Sequence, residues 1–256
     1  MKYFNTVYYF LLLLHFQNPK MKILVKLPSR LRPEKFVLAL DKYISLSETN
    51  PQYLITLDSD DPKVGLYNAI AQRYPNVIFD FGISGSKIAA CNRGMNKTKD
   101  WDIVVLASDD MIPQVKGWDT KIIQAMETYF PDTDGVLHFD DGCQHSNCAT
   151  LCIIGKKYYQ RFGYLYNPKY ISLWCDVEFT EVAIMLDRYK YMGDGNIIIK
   201  HFHPYAVKGV AMDDLYKQES TEENFNHDKK IWIENRKNRY FLGETPKDFK
   251  PEYNNV

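Results

Sequence analysis

Residues 102–111 read DIVVLASDDM, and they are the clearest strand of the strand–helix pattern that decides the fold. The apolar run 103–106 is typical of a buried strand, and two adjacent carboxylates, Asp109 and Asp110, follow closely after it. Neighbouring carboxylates repel each other and raise each other's pKa unless solvent, a basic side chain or a divalent cation lies between them. The residues at the ends of the other strands indicate which of these three applies.

Strand and helix patterns alternate from residue 23 to residue 130. The predicted strands are 23–28, 53–58, 76–82 and 102–107, and the predicted helices are 33–46, a segment from Asp61, 84–97 and 117–130. Strands alternating with helices of this length predict βαβ crossovers, and therefore an α/β fold with a mostly parallel central sheet and helices on both faces. In such a sheet, functional residues are expected at the carboxyl ends of the strands.

The second half of the sequence is less regular. Strands are predicted at 135–139, 149–154 and 196–204, and helices after Gly155, near Cys175 and beyond Met212. His201 and His203 lie two residues apart in the last of these strands, and we expect both side chains on one face.

Composition narrows the class of protein. Lys+Arg and Asp+Glu are 32 each, so the net charge is zero, which disfavours binding of nucleic acid through a broad basic face. The five cysteines are an odd number in a chain too long to need disulfides, which favours a reducing, cytoplasmic location. Cys143, Cys148 and Cys152 with His145 resemble a zinc cluster, but their spacing matches no common zinc finger.

The N-terminal residues form a separate feature. Residues 7–16 are an apolar run that is too short to span a bilayer, and no small-residue cleavage site follows them. We interpret residues 1–20 as an extension ahead of a domain that begins near Met21. Peripheral membrane attachment through residues 7–16 is the alternative.

Polar residues gather where the predicted strands end. Carboxylates follow the second and fourth strands and cations follow the first and third, which indicates a site for phosphates and a metal ion. Asp109 and Asp110 are candidate ligands of Mg²⁺ or Mn²⁺; alternatively, they form a solvated strand end or a helix cap. His201 and His203 suit Mn²⁺ beside a carboxylate, although a histidine after a strand is more often an ordinary core or surface residue.

Two predicted helices carry further candidates at their N-terminal ends. Asp176 and Glu178 either cap a helix or supply a general base facing the cation. Lys87 and Asn92 follow a Gly/Ser turn, where a helix N-terminus can bind an anion; the alternative for Lys87 is a solvated charge.

The order of these pieces resembles that of GT-A-fold glycosyltransferases of the family 2 type. The resemblance covers roughly residues 21–205 and rests on five motifs in register: LPSR (27–30), TLDSDD (56–61), AACNRGM (89–95), LASDD (106–110) and WCDVEF (174–179). Two positions depart from the family pattern. Ala107 replaces the first aspartate of the D-x-D motif, and Cys175 replaces the glutamate of the E-D motif.

The resemblance implies a GT-A (Rossmann-like) domain at 21–210, with a nucleotide-binding half at 21–110 and an acceptor half at 111–210. The charged composition of residues 211–256 separately predicts a helical C-terminal segment. It implies transfer of a sugar from an NDP-sugar, UDP-linked, to an acceptor hydroxyl with inversion, in carbohydrate biosynthesis. The acceptor class stays open between a glycan, a lipid-linked sugar, a protein and a modified nucleobase. The cofactor implied is Mn²⁺ or Mg²⁺.

The same resemblance assigns roles to individual residues. Asp176 would deprotonate the acceptor, and Glu178 would position the acceptor or share that role. Asp109 would hold the cation, with Asp110 and either His203 or His201 completing the metal shell. The donor-binding set would be Pro28, Ser29, Arg30, Asp58, Lys87, Asn92 and Ser108, with Asp58 contacting the nucleobase.

Two alternatives remain at this point. A nucleotidyltransferase on a similar sheet would need a Gly-rich loop after the first strand, and residues 27–35 contain no glycine. A non-catalytic sugar-nucleotide or glycan-binding module is favoured by the substitutions at Ala107 and Cys175. The tyrosine-rich segment 158–170 is predicted to offer rings to an acceptor.

Overall fold

The computed structural model describes residues 21–243, so the apolar run 7–16 lies outside the described residues. Its strands are β1 (Ile23–Ser29), β2 (Gln52–Asp58), β3 (Ile78–Gly82), β4 (Ile103–Leu106), β5 (Met111–Pro113), β6 (Val136–His138), β7 (Cys152–Gly155), β8 (Tyr189–Tyr191) and β9 (Ile199–His201). Its helices are α1 (Pro33–Ser45), α2 (Val64–Ala71), α3 (Lys87–Asn92), α4 (Trp118–Tyr129), α5 (Lys156–Phe162), α6 (Cys175–Met185), α7 (Asp214–Glu219) and α8 (Glu222–Lys237).

The described strands form a seven-stranded sheet of order β3-β2-β1-β4-β7-β6-β8 and a small sheet of β5 and β9. β1 pairs in parallel with β2 and β4, and β2 pairs in parallel with β3. Within the described residues, β7 is antiparallel to both β4 and β6, while β8 is parallel to β6, so six strands share one direction. The predicted mostly parallel α/β sheet, with four parallel strands before residue 110, is confirmed.

Two apolar clusters cover the sheet, one on each face, so the central strands are buried on both sides. One cluster includes Phe36 and Tyr43 of α1 and Trp118 of α4, whose indole nitrogen donates to the Tyr43 carbonyl oxygen at 3.2 Å. Ile44, in the last turn of α1, is 37% exposed. Among the described residues, no helix has the length and apolar character needed to cross a membrane.

The last predicted strand is shorter than expected and lies in the small sheet. β9 pairs antiparallel with β5, and His201 is opposite Met111 in this register. The backbone N–H of Phe202 then donates to the Asp110 carbonyl oxygen at 2.8 Å, which ends the strand pairing. β5 begins directly after Asp110, so this pairing brings His201 to the end of β4.

A buried lysine in β1 makes stability depend on pH. Lys26 is fully buried and donates to the hydroxyl of Thr56 and to the Ala90 carbonyl oxygen. Burial lowers its pKa from 10.5 to about 7. Between these two pH values the unfolded chain binds this proton and the folded chain does not, so stability rises with pH across that window.

We therefore expect Lys26→Met to remove this dependence. Between pH 7 and pH 9, the free energy of unfolding of the wild type should rise by about 2 kcal/mol relative to the variant. Urea unfolding at the two pH values measures the difference. Lys121→Met, at an exposed position of α4, is the control and should follow the wild type. Parallel pH profiles for wild type and Lys26→Met would contradict the prediction.

Candidate active site at the carboxyl edge of the sheet

A cleft of about 310 Å³ opens where β1, β2 and β4 end. The start of α3, the loop before α6, and α7 close its other sides. Eight of the residues predicted from the sequence line it: Pro28, Ser29, Arg30, Asp58, Lys87, Ser108, Asp109 and Asp110. Asp58 and Asp109 therefore share one cavity, as expected for residues at the carboxyl ends of parallel strands.

Asp109 is buried against a basic side chain. Its Oδ1 accepts from the Arg32 guanidinium at 3.1 Å and its Oδ2 from the Ser29 hydroxyl at 2.7 Å. Burial and the adjacent Asp110 nevertheless raise the pKa of Asp109 to about 6, because the contacts with Arg32 and Ser29 offset them only in part. In this structure Arg32 therefore offsets part of the repulsion between the carboxylates of Asp109 and Asp110.

Asp110 turns to a different set of partners. Its carboxylate accepts from the hydroxyls of Ser108 and Tyr216, and its Oδ2 lies 3.6 Å from His201 Nε2. Burial opposes ionisation of this carboxyl, but the contact with His201 and the two hydroxyls outweigh burial and lower its pKa. The two adjacent aspartates therefore lie in separate environments, Asp109 beside Arg32 and Asp110 beside His201.

The segment around α7 lines the cleft and forms ion pairs with its basic side chains. Asp213, the residue before α7, accepts from Arg32 at 2.6 Å and from Lys35 at 2.7 Å. The Arg32 guanidinium also lies 4.2 Å above the ring of Tyr216, and Glu219 lies 3.7 Å from Lys87. Carboxylates of this segment thus contact the cations that an anionic ligand in the cleft would meet.

Asp58 lies at the other end of the cleft, between two arginines. Its carboxylate accepts from Arg30 and from Arg93, both at 3.2 Å. Arg93 also donates to the carbonyl oxygens of Leu57 and Asp80, so it joins the ends of β2 and β3. These contacts fix the orientation of the Asp58 carboxylate, and Arg30 lines the cleft beside it.

The two predicted donor residues on α3 differ in environment. Lys87 lies at the first position of the helix, after the N-cap Ser86, and lines the cleft. Asn92 lies outside the residues that line the cleft, and its amide joins α3 to the loop at 165–166: Nδ2 donates to the Tyr166 carbonyl oxygen at 2.7 Å, and Oδ1 accepts from the Leu165 N–H at 2.8 Å. The donor-binding role of Asn92 stays a prediction.

Asp176 is the candidate base, at the second position of α6. Its Oδ2 lies 3.9 Å from the Cys148 sulfur, and its Oδ1 accepts from the Val177 N–H at 2.9 Å. Burial raises the pKa of this carboxyl, and the positive charges of Lys87 and His201 offset burial only in part. Desolvation of Asp176 therefore outweighs the effects of the helix N-terminus and of the nearby basic side chains.

Glu178 lies away from the cleft and is 5% exposed. Its two oxygens accept from the Asn167 amide at 2.7 Å, the Tyr170 hydroxyl at 2.6 Å and the Asn235 amide at 2.7 Å. These contacts join α6 to α8 and the preceding loop. In the tyrosine-rich segment, Tyr158, Tyr166 and Tyr170 are buried. The segment also lines a second cavity of about 350 Å³, and its contact with an acceptor stays a prediction.

Asp228 of α8 fixes the loop that leads into α6. The fully buried carboxylate accepts from the backbone N–H groups of Ile171, Ser172 and Leu173 at 2.8–2.9 Å. This loop lines the cleft and ends at the helix that carries Asp176. Asp228 therefore positions the candidate base relative to the cleft.

We expect Asp228→Ala to lower the free energy of unfolding by about 3 kcal/mol or more, because three buried N–H groups lose a charged acceptor. Urea unfolding measures the loss. Lys230→Ala, an exposed position of the same helix, should change stability by less than about 0.5 kcal/mol. Equal stabilities of the two variants would show that the loop does not depend on this carboxylate.

Solved structures similar to this fold are glycosyltransferases. A mannosyltransferase from Pyrobaculum calidifontis in complex with GDP-Man and Mn²⁺ aligns with a TM-score of 0.61 over 94% of this chain and 73% of its own, at 11% identity. TarS of S. aureus aligns with a TM-score of 0.56 over 88% of this chain and 44% of its own, at 14% identity. Residues 1–349 of TarS in complex with UDP-GlcNAc align with a TM-score of 0.55 over 87% of this chain and 73% of their own, at 13% identity.

The chain has a GT-A-like glycosyltransferase fold. By sequence, it matches no protein-family model and no curated protein. At identities of 11–14% the structural likeness establishes the fold, and the assignment of activity rests on the residues of the cleft.

The donor set at the end of β4 in this GT-A-like fold fits a divalent cation. Each oxygen of Asp109 accepts one hydrogen bond, whereas a carboxylate offers about four lone-pair sites, so there is capacity for a metal ligand bond. Burial and the charge of Asp110 both disfavour the ionised form of Asp109, and a bound cation would favour that form. His203 lies at the same edge, with its ring 5.2 Å from that of His201 and 5.1 Å from that of Tyr216.

Four residues in or beside this site were not recognised from the sequence: Arg32, Arg93, Asp213 and Tyr216. Arg32 follows Arg30 in the segment after β1, which was a usable signal. Asp213 and Tyr216 lie more than 100 residues beyond Asp109, in a charged segment with no motif. Only the tertiary fold brings them to the cleft.

Proposed function

We propose that this chain is a divalent-metal-dependent glycosyltransferase that moves a sugar from a UDP-linked donor to an acceptor hydroxyl with inversion, in the cytoplasm. The observation that carries the proposal is that Asp58 and Asp109, at the carboxyl ends of parallel strands, share one cleft with Lys87 at the start of α3. Bound nucleotide sugars in the similar mannosyltransferase and TarS structures support the class of donor.

The nucleotide would lie along the ends of β1 and β2. Asp58 would accept hydrogen bonds from the base, in an orientation that Arg30 and Arg93 fix. Ser29 and Arg30 would line the nucleotide pocket with Pro28. The diphosphate would lie between Lys87 and the cation held by Asp109, and the cation would neutralise charge that develops on the leaving diphosphate.

Binding of a diphosphate would change the contacts of α7. Asp213 and Glu219 pair with Arg32, Lys35 and Lys87, so an anionic donor would compete with these carboxylates for the same cations. Partial displacement of α7 would free Tyr216 from Asp110.

The proposed reaction is a single displacement. Asp176 would accept the proton of the acceptor hydroxyl as the oxygen of that hydroxyl bonds to the anomeric carbon and the bond to the diphosphate breaks. The raised pKa of Asp176 makes it a stronger base than an exposed aspartate. Glu178 is fully hydrogen-bonded inside the protein, so its contribution would be to hold α6 in place.

Isothermal titration of the full chain with UDP and GDP, in Mn²⁺, Mg²⁺ and EDTA, tests the proposal. We expect UDP to bind in Mn²⁺ and to lose most of its affinity in EDTA. Release of UDP from UDP-sugars then tests turnover. Formation of UDP-sugar and pyrophosphate from UTP and a sugar 1-phosphate would indicate a nucleotidyltransferase. Binding without turnover would indicate a non-catalytic module, and binding of neither nucleotide would exclude the proposal.

A further inference from the structure

A second group of potential metal ligands lies beside the cleft. The loop after β6 carries Asp141 and Cys143, and β9 ends at His201. Ligand atoms of these three side chains all lie within 4.8 Å of one another. We propose that Asp141, Cys143 and His201 form a binding site for a zinc-class divalent ion, separate from the hard-cation position at Asp109.

The spacing of the ligand atoms fits a tetrahedral ion. His201 Nδ1 lies 3.5 Å from Asp141 Oδ2. Two ligands at about 2.1 Å from a tetrahedral Zn²⁺ are separated by about 3.4 Å. Within the described residues, His201 Nδ1 is buried and has no hydrogen-bond partner. On loss of its proton, Nδ1 would direct a lone pair at the position that the ion would occupy.

The backbone of the loop directs the thiol toward this position. Asp141 Oδ1 accepts from the N–H groups of Cys143 and Gln144, both at 2.8 Å, which folds the chain back on the aspartate. Gly142 adopts φ +72°, a left-handed conformation that glycine allows without strain. The loop thus returns Cys143 to the side of Asp141 that faces His201.

Neighbouring groups orient the proposed ligands. The Thr150 hydroxyl donates to Asp141 Oδ2, and Asp110 Oδ2 lies 3.6 Å from His201 Nε2. A carboxylate on the far nitrogen of a metal-binding histidine fixes the ring and its tautomer. Asp110 would act in this way, so the two adjacent aspartates would serve two different ions, Asp109 directly and Asp110 through His201.

The chemistry of the set selects the ion. A thiolate, an imidazole and a carboxylate favour Zn²⁺ over Mg²⁺ or Mn²⁺, which prefer oxygen ligands. Binding would release the thiol proton of Cys143 and the Nδ1 proton of His201 to solvent. Three protein ligands leave a fourth position open, and the ion would tie the loop after β6 to β9, close to Asp176.

The competing interpretation is that His201 is an imidazolium held between Asp110 and Asp141 and that no metal binds. The test is a titration of the chelator-treated full chain with Co²⁺, followed by its absorption spectrum. We expect a thiolate-to-cobalt charge-transfer band, one ion per chain, and tetrahedral d–d bands. Cys143→Ser should abolish the charge-transfer band, and His201→Gln should weaken Co²⁺ binding by at least about 100-fold. Thr150→Ala, which removes an outer hydrogen bond, should weaken it about 10-fold.

His145→Gln is the matched control, because His145 is exposed on the same loop and should leave the spectrum unchanged. Circular dichroism of each variant confirms that it is folded. A charge-transfer band in Cys143→Ser equal to that of wild type would overturn the site. Unchanged Co²⁺ affinity in His201→Gln would assign this histidine to an ion pair and would also overturn it. The readout is metal absorption, so the result is independent of the proposed sugar transfer.

Discussion

Asp176→Asn should lower the rate of sugar transfer by about 10²–10⁴-fold, because a positioned general base contributes that much. Donor affinity should stay within about a few-fold of wild type, since a base acts on the acceptor and not on the nucleotide. The asparagine can still accept from the Val177 N–H, as Asp176 Oδ1 does, so the helix start should be preserved. Single-turnover rates and titration with UDP measure the two effects separately.

The comparison variant is Glu178→Gln. The Asn167 and Asn235 amides and the Tyr170 hydroxyl all donate hydrogen bonds to Glu178. The NH₂ group of a glutamine would face at least one of these N–H or O–H groups and lose that hydrogen bond. We expect it to lower the free energy of unfolding by about 1–3 kcal/mol while the folded fraction still transfers sugar. If Glu178→Gln folds normally and is inactive while Asp176→Asn is active, the base has been misassigned by two residues.

Asp109→Asn should weaken binding of the donor in Mn²⁺ by at least about 100-fold. Loss of an outer-shell partner of a metal ligand costs up to about 100-fold, and Asp109 is the proposed ligand itself. The amide keeps an oxygen for Arg32 and can donate to the Ser29 hydroxyl, which can in turn donate to Tyr67 at 2.8 Å. The fold should therefore be retained. Isothermal titration in Mn²⁺ and in EDTA, with a thermal melt of each protein, measures both properties.

The control for this variant is Asp214→Asn on α7, whose side chain is 84% exposed and pairs only with Lys217 at 3.3 Å among the contacts described. It removes the same charge close to the cleft and should leave the affinity unchanged. Equal affinities of Asp109→Asn and wild type would place the cation elsewhere. Equal affinities in Mn²⁺ and EDTA for the wild type would mean that basic side chains of the cleft, such as Arg32 and Lys87, neutralise the donor without a metal ion.

The strand–helix order of residues 21–130 could be predicted from the sequence because each element is encoded locally. Continuous apolar runs such as 103–106 specify strands buried on both faces, and Pro33 and Gly117 mark where helices begin. Parallel strands deliver their carboxyl ends to one edge. The meeting of Asp58 and Asp109 therefore followed from the order of the elements alone.

Charge partners could not be predicted in the same way, because they depend on contacts between distant parts of the chain. Arg32 reaches Asp109 across 77 positions, and Tyr216 reaches Asp110 across 106. Burial then decides the chemistry: it raises the pKa of Asp176 although its place at a helix N-terminus suggested the opposite. Local sequence determined which residues stand at the edge of the sheet, and only tertiary packing decided which of them are desolvated and which are paired, because both are properties of the folded surroundings.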